Sequence, residues 1–181
     1  LYTEEMYNAP YNSENAFGPT YGAHREALEL GLQEYMELKQ YADNLNLLFF
    51  ATPFDFPSVD FLYLLDVPAF KVASGDLNNS PLLWYIVQLG KPVILSTGGA
   101  NLDDVIRAAD VCLGGGFPLD HFAILQCTAS YPTIPEEMNL SVLGTYRNVF
   151  PRTVVGLSDH YDGILPGPLA YLLGARIFEK H

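Results

Sequence analysis

The sequence of 181 residues predicts an α/β fold with a parallel sheet and, within that class, a (β/α)8 TIM barrel. Two observations predict the class: short apolar runs recur about 20–30 residues apart, and stretches with helical spacing separate them. A third observation favours the barrel over a doubly wound open sheet, because polar residues follow every apolar run. An open sheet binds its ligand with a few strands, whereas a barrel uses the carboxyl ends of nearly all of them.

The first quarter of the chain precedes this pattern. Residues 1–21 are rich in Tyr, Asn, Pro and Gly and have neither a helical nor a strand period, which predicts a long loop. Residues 22–44 carry Leu28, Leu32, Tyr35 and Leu38 at spacings of three and four. That spacing predicts one amphipathic helix.

Six short apolar runs after this helix predict six strands, each with a polar or glycine-containing exit. The runs are Leu47–Ala51, Ala69–Ala73, Pro92–Leu95, Phe122–Gln126, Val154–Leu157 and Ala175–Phe178. A complete barrel has eight such units in about 250 residues. Six units therefore predict an incomplete barrel, and we expect the chain to be a fragment.

The charge and the apolar pattern exclude several functional classes. Nine Lys and Arg stand against 21 Asp and Glu, and the net charge of −12 disfavours binding to nucleic acid or to an anionic membrane surface. The longest apolar runs reach about half of the ~20 residues that cross a bilayer. Two cysteines suggest no disulfide framework, which predicts a reducing compartment and hence the cytoplasm.

Lys71 is the first candidate binding residue, because it lies inside the apolar run Ala69–Ala73. A buried ammonium group needs an anionic partner or ligand, so a phosphate or carboxylate is the preferred interpretation. The alternative is a lysine on an edge strand that reaches solvent. Ser74, Ser96 and Ser158 follow neighbouring strands, and their hydroxyls together with nearby glycine amides can form an anion cradle. Each Ser-Gly pair alone is more typical of a turn.

His160 and His181 end the last two predicted strands, which are neighbours in either architecture. Two neutral imidazoles with open positions suit a divalent Mn, Fe or Zn ion better than Mg or Ca. His24 and His121 have no such placement and are predicted to be solvated surface groups.

Four carboxylates accompany these strand ends: Asp55, Asp76, Asp159 and Glu179. Any of them could orient a histidine or act as a base. For Asp55 and Asp76, capping of the following helix is an equal alternative. Cys127 has no obvious activating partner and is assigned no role.

Seven blocks in order resemble the N-acetylneuraminate (sialic acid) synthase family, the phosphoenolpyruvate-condensing NeuB-type enzymes. They are Tyr-Gly-Ala-His-Arg (21–25), Phe-Phe-Ala-Thr-Pro-Phe-Asp (49–55), Phe-Lys-Val-Ala-Ser-Gly-Asp-Leu-Asn-Asn (70–79), Gly-Lys-Pro-Val-Ile-Leu-Ser-Thr-Gly (90–98), Leu-Gln-Cys-Thr-Ala-Ser-Tyr-Pro (125–132), Gly-Leu-Ser-Asp-His (156–160) and Glu-Lys-His (179–181). The resemblance covers nearly the whole chain.

The resemblance implies a (β/α)8 barrel in which phosphoenolpyruvate condenses with N-acetylmannosamine, or with a related amino sugar or its 6-phosphate. It assigns phosphoenolpyruvate binding to five residues, the metal to two, and the sugar site to one. In that order these are Thr52, Lys71, Ser74, Ser96 and Ser158, then His160 and His181, then Tyr131. Lys71, His160 and Tyr131 would be the catalytic residues. The metal it implies is manganese first, with magnesium, cobalt or zinc as alternatives.

The resemblance also implies what this chain lacks. Residues 1–181 would hold strands three to eight, with 1–21 as the loop after the missing second strand. The family's C-terminal antifreeze-like domain is absent, and Ala129 stands where some members have Asn. We expect the parent protein to be a homodimer and the isolated chain to be inactive. The alternatives are a synthase for legionaminic, pseudaminic or spore-coat sugars, or a non-catalytic barrel remnant.

Overall fold

The computed structural model describes residues 3–181 and divides the chain into two compact units, one ending at Phe49 and the other comprising Phe50–His181. Its helices and strands are, in chain order, α1 Glu4–Asn8, α2 Tyr21–Leu28, α3 Leu32–Asn44, α4 Phe56–Leu64, β1 Phe70–Val72, α5 Ser80–Gln88, β2 Val93–Ser96, α6 Leu102–Leu113, β3 Phe122–Cys127, α7 Val142–Val149, β4 Val154–Asp159, α8 Pro166–Leu172 and β5 Ile177–Lys180. None of the described helices is both long and apolar enough to cross a membrane.

The first unit differs from its predicted loop and single helix. The helix predicted over 22–44 is interrupted between α2 and α3, where Gly31 adopts an extended conformation as the N-cap of α3. Glycine costs about 1 kcal/mol inside a helix, which favours the break. The predicted loop contains the short helix α1, whose N-cap Thr3 accepts a hydrogen bond from the backbone of Met6. His24 is buried rather than solvated, and its Nδ1 accepts a hydrogen bond from the backbone of Phe17 (3.1 Å).

The second unit is a parallel sheet in the order β1-β2-β3-β4-β5, with one helix in each connection. Two of these helices begin at a side-chain cap: Asn79 caps α5, and Asn101 with Asp104 forms a capping box on α6. Buried faces of these helices and the strands form the apolar core, which includes Phe70, Leu95, Phe122, Ile124, Leu83, Ile86, Val105 and Ala109. The α/β class with a parallel sheet is therefore confirmed.

The sheet curls strongly, as a contact between side chains on its two edge strands shows. Nζ of Lys71 on β1 lies 3.1 Å from Oε2 of Glu179 on β5. In a flat sheet these strands would be about 19 Å apart at the usual spacing of about 4.8 Å, beyond the reach of both side chains. Five strands thus form a curled half-barrel, as the incomplete (β/α)8 barrel requires.

Five of the six predicted strands are present, and the first is not. In the part of the chain that the structure describes, residues 47–51 belong to no strand. Leu47 and Leu48 are 58% and 78% exposed, so the run is apolar without being buried. An apolar run becomes a strand only where a neighbouring backbone accepts and donates its hydrogen bonds, and periodicity does not report that neighbour.

Candidate active site

The carboxyl ends of the strands carry the candidate residues, and several are buried despite being polar. Lys71, Ser96, Ser158 and His160 are all less than 10% exposed. They come from β1, β2 and β4 or from the residue that follows β4. Burial of so many polar groups at one edge of a sheet is typical of a binding site rather than of a structural core.

Lys71 and Glu179 form an ion pair across the concave face. Beyond its contact with Oε2 of Glu179, Nζ of Lys71 donates to the carbonyl of Val72 (3.4 Å). Lys71 is 9% exposed, so the interpretation as an edge-strand lysine reaching solvent is wrong even though β1 is an edge strand. Burial raises the pKa of Glu179, but the charge of Lys71 and the hydrogen bonds from His181 and Lys71 outweigh it and hold this pKa below its usual range. Glu179 is therefore ionised at neutral pH.

His160 and His181 lie side by side, as the sequence predicts. Parallel pairing of β4 with β5 aligns Asp159 with Lys180, and each histidine is the next residue along its strand. Their ring centroids are 4.7 Å apart. The backbone of His181 also donates to the carbonyl of Asp159 (3.1 Å), which continues the ladder to the last residue.

Hydrogen bonds define the tautomer of each imidazole. Nδ1 of His160 lies 2.7 Å from the carbonyl oxygen of Thr128, and because a carbonyl only accepts, Nδ1 carries the proton. Nε2 of His160 is buried and has no partner, so its lone pair is available to a ligand. Nε2 of His181 donates to Oε1 of Glu179 (2.9 Å), which leaves Nδ1 of His181 with the lone pair.

Both histidines have the hydrogen-bonding pattern that is typical of metal ligands. A ligating histidine usually donates its other N–H to a carbonyl or carboxylate, and His160 and His181 do so to Thr128 and Glu179. Within residues 3–181, no group of three or more His, Cys, Asp or Glu side chains is arranged to hold a metal. His160 and His181 are therefore the two candidate metal ligands that the described strand ends bring together.

Tyr131 covers the two histidines. Its ring stacks on His160, with centroids 3.8 Å apart and planes 25° apart, and meets His181 edge-on at 5.8 Å. Burial, followed by the nearby Cys127 and Glu179, raises the pKa of Tyr131, so its hydroxyl stays protonated at neutral pH. The exposed remainder of this ring can contact a ligand held over the imidazoles.

The predicted hydroxyl cradle is only partly assembled. Oγ of Ser74 accepts a hydrogen bond from the backbone of Gly98 (2.8 Å), which leaves its own proton free to be donated. A Cβ at position 98 would lie 2.9 Å from that oxygen, so Gly98 allows this close approach. Oγ of Ser96 is buried without a partner, as a group awaiting a ligand would be. Thr52 is half-buried and forms no hydrogen bond with the other described site residues.

The carboxylates divide between capping and the site. Asp55 is the N-cap of α4 and accepts a hydrogen bond from the backbone of Ser58 (2.8 Å), so the alternative that it caps the following helix is confirmed. Asp76 accepts from the side chain of Asn79 (3.1 Å) just before α5. Glu179 contacts both Lys71 and His181, a placement that its spacing of two residues from His181 could have suggested.

One site group could not be predicted from the sequence, and the two cysteines show no sign of a catalytic role. The carbonyl of Thr128 orients His160, and since every residue has a carbonyl, no residue type marks it. Cys112 is fully buried, and burial raises the pKa of its thiol to about 12, so it is no nucleophile at neutral pH. Cys127 is also buried and is not disulfide-bonded.

Comparison with known proteins decides the family. The model of the NeuB family matches residues 1–181. The chain belongs to the NeuB family. The predicted family resemblance is therefore confirmed.

Relatives in the NeuB family have several sugar specificities. The chain is 37% identical over 99% of its length to the human N-acetylneuraminate-9-phosphate synthase, covering 49% of that protein. It is 40% identical over 86% of its length to a Campylobacter jejuni N,N'-diacetyllegionaminic acid synthase, covering 46% of that protein. The chain thus spans about half the length of the curated relatives it matches.

Solved structures agree with the half-barrel. A sialic acid synthetase from Leptospira borgpetersenii superimposes with a TM-score of 0.83 and 37% identity over 95% of this chain and 60% of that one. A truncated 3-deoxy-D-arabino-heptulosonate 7-phosphate synthase from Thermotoga maritima superimposes with a TM-score of 0.65 at 14% identity over 83% of this chain and 58% of that one, which bears on the fold alone.

Proposed function

We propose that the protein containing this chain condenses phosphoenolpyruvate with N-acetylmannosamine, or a related amino sugar or its 6-phosphate, in a reaction that consumes one water molecule and releases phosphate. The product is a sialic-acid-type nonulosonate, and the enzyme is a transferase that forms a carbon–carbon bond. The observation that carries the proposal is the adjacency of His160 and His181 beside the buried cation Lys71 on one concave face. That arrangement supplies a metal-ligand pair and an anion partner for two different substrates.

Phosphoenolpyruvate would bind at Lys71 and the serine hydroxyls. An ammonium group has three N–H donors, and Glu179 with the carbonyl of Val72 occupies two of them. The third remains for a phosphate or carboxylate oxygen. Ser74, whose oxygen accepts from Gly98, still has its proton to donate, and the unpaired hydroxyl of Ser96 can also donate. We propose Ser158 and Thr52 as the remaining hydroxyls.

The divalent ion would be held by His160 and His181, with manganese proposed first and magnesium, cobalt or zinc as alternatives. When bound, such an ion supplies Lewis-acid polarisation of the sugar carbonyl. Thr128 and Glu179 hold the two imidazoles in the tautomers that ligation needs. Lys71 meanwhile keeps a positive charge beside the position proposed for the phosphate, where negative charge develops as the ester bond breaks.

The sugar would lie against Tyr131, near a cavity whose lining has no charged side chain. This cavity of about 460 Å³ adjoins the carboxyl end of β3 and is lined by residues that include Thr97, Gln126, Thr128, Asn139 and Tyr146. Hydroxyl and amide groups without full charges suit the hydroxyls and acetamido group of an amino sugar. This lining supports an N-acetylated sugar as the second substrate.

The identity of the sugar separates the same-family alternatives. Legionaminic and pseudaminic acid synthases and a spore coat polysaccharide biosynthesis protein are all relatives, and sequence identities of 37% and 40% to enzymes of different specificity do not separate these alternatives. A non-catalytic barrel remnant would need neither a metal site nor an anion site, and the presence of Lys71, His160 and His181 together on one face argues against it. We further propose a cytoplasmic homodimer.

The test is phosphate release by the full-length protein with phosphoenolpyruvate and a panel of N-acetylated hexosamines and their 6-phosphates. We expect release with at least one sugar in the presence of Mn²⁺, and its loss in the variant His160→Ala. The matched control is His121→Ala, a histidine that precedes β3 at the opposite end of the sheet, and we expect that variant to remain active. Undiminished turnover after complete removal of metal would overturn the proposed role of the two histidines, and no release with any sugar would overturn the reaction.

A further inference from the structure

Asp159 and Lys180 form an ion pair directly beneath the two histidines. They are register partners on β4 and β5, each one residue before a histidine. Successive side chains of a strand point to opposite faces, so this pair lies on the face opposite Ser158 and Glu179. Oδ2 of Asp159 is 3.4 Å from Nζ of Lys180, and the side chain of Asp159 is 9% exposed. The sequence left Asp159 open as a base or an orienting group, and the outer face removes it from contact with substrate.

The same two side chains also hold the backbone on the far side of His160. Oδ1 of Asp159 accepts a hydrogen bond from the backbone N–H of Tyr161 (2.9 Å). Nζ of Lys180 donates to the carbonyl oxygen of Tyr161. Asp159 and Lys180 thus bind both backbone polar groups of Tyr161, the residue after His160. The strand end that carries His160 is tied to the strand end that carries His181.

We infer that Asp159 and Lys180 are a positioning pair that sets the separation of the His160 and His181 imidazoles for metal binding. This inference rests on the metal site in the proposed function. Lys180 is 45% exposed in its side chain, and the buried Asp159 keeps its hydrogen bond from Tyr161 when the lysine is replaced, so we expect the pair to contribute little to stability. The pair should affect the positions of the two imidazoles more than it affects stability, and a metal site loses affinity when its ligands are held about 1 Å too loosely.

A matched lysine elsewhere in the chain provides the control. Lys91 donates to Oδ1 of Asp66 (2.5 Å) and to the carbonyl of Val67 (2.7 Å), the same combination of carboxylate and carbonyl that Lys180 contacts. Lys91 precedes β2 and so lies at the opposite end of the sheet from the histidines. Replacing either lysine removes one charge and two polar contacts, and Lys91 also loses a contact with the Tyr63 ring, but only Lys180 lies next to the candidate metal ligands.

The experiment measures Mn²⁺ binding to the full-length protein by the electron paramagnetic resonance signal of free Mn²⁺, without substrate. We expect Lys180→Met to weaken binding by about tenfold or more, as loss of a supporting contact around metal ligands typically does. Lys91→Met should bind as the wild type does, both variants should have similar melting temperatures, and Lys180→Arg should recover part of the affinity. Asp159→Asn serves as a second variant should Lys180→Met not fold, and it should also bind more weakly.

The outcomes separate the inference from the proposed function. If the wild type binds Mn²⁺ and both Lys180→Met and Asp159→Asn bind it equally well, the positioning inference is wrong and the metal site stands. A uniform loss of affinity in Lys91→Met and Lys180→Met would mean that general destabilisation is responsible, which also overturns the inference. If the wild type binds no Mn²⁺, the proposed manganese site fails, and the inference fails with it.

Discussion

Replacing Lys71 with methionine should destabilise the protein through the carboxylate it leaves behind. The ion pair with Glu179 spans 3.1 Å, and the side chains of Lys71 and Glu179 are 11% and 27% exposed. Removing one partner of a fully buried pair costs about 3–5 kcal/mol. Glu179 keeps its hydrogen bond to His181 and part of its hydration, so we expect the smaller loss of about 2–3 kcal/mol.

The assay is a double-mutant cycle on the free energy of unfolding in urea. Its corners are the wild type, Lys71→Met, Glu179→Gln and the double variant, and the expected coupling is about 1–2 kcal/mol. The control is the same cycle with Lys39→Met and Asp43→Asn, because Lys39 and Asp43 form a more exposed i,i+4 pair whose coupling should be less than about 0.5 kcal/mol. A Lys71–Glu179 coupling no larger than that of the control pair would refute the reasoning that burial strengthens this interaction.

Two further predictions concern the half-barrel itself. Hydrogen bonds from Ser58 hold the pKa of Asp55 below its usual range, so its cap contributes fully above about pH 3.9 and is lost as the pH falls through the lower, folded-state pKa. Asp55→Ala should therefore cost about 1 kcal/mol at pH 7 and progressively less below pH 3.9 in urea titrations, and an equal cost at pH 7 and pH 2 would contradict this. Gly156→Ala should cost about 3 kcal/mol or more, because the new Cβ would lie 2.4 Å from the carbonyl oxygen of Ile177, and backbone cannot yield as a side chain can. Gly144→Ala on α7 meets nothing within 4 Å and should be neutral or stabilising, so equal melting temperatures for these two alanine variants would count against the packing argument.

Periodicity predicted the strands of the second unit well and the first unit poorly. All five observed strands overlap predicted runs, because buried parallel strands need apolar side chains on both faces and therefore stand out in sequence. The run Leu47–Ala51 has the same composition but no pairing partner among the described residues. The prediction of a single helix over 22–44 relied on the apolar spacing and neglected Gly31, where the helix is interrupted.

Within the candidate site, the sequence by itself determined which residues share one edge of the sheet. Parallel strands end at the same edge, so placing His160 and His181 after consecutive strands was enough to predict that their rings are neighbours. The seven blocks of family resemblance likewise sufficed to predict the NeuB family. Neither inference needed a distance, because chain order and strand direction already imply proximity.

Only the tertiary structure decided which groups pair across the concave face. Lys71 needed an anion, and the sequence offered phosphate, carboxylate or solvent without distinguishing them; curling of the sheet brings Glu179 from the opposite edge to within 3.1 Å. The carbonyl of Thr128 that orients His160 and the outer-face pair of Asp159 with Lys180 also depend on backbone geometry. The physical reason is that sequence periodicity reports which side of a strand is buried, whereas the closing of the sheet determines which buried groups face each other.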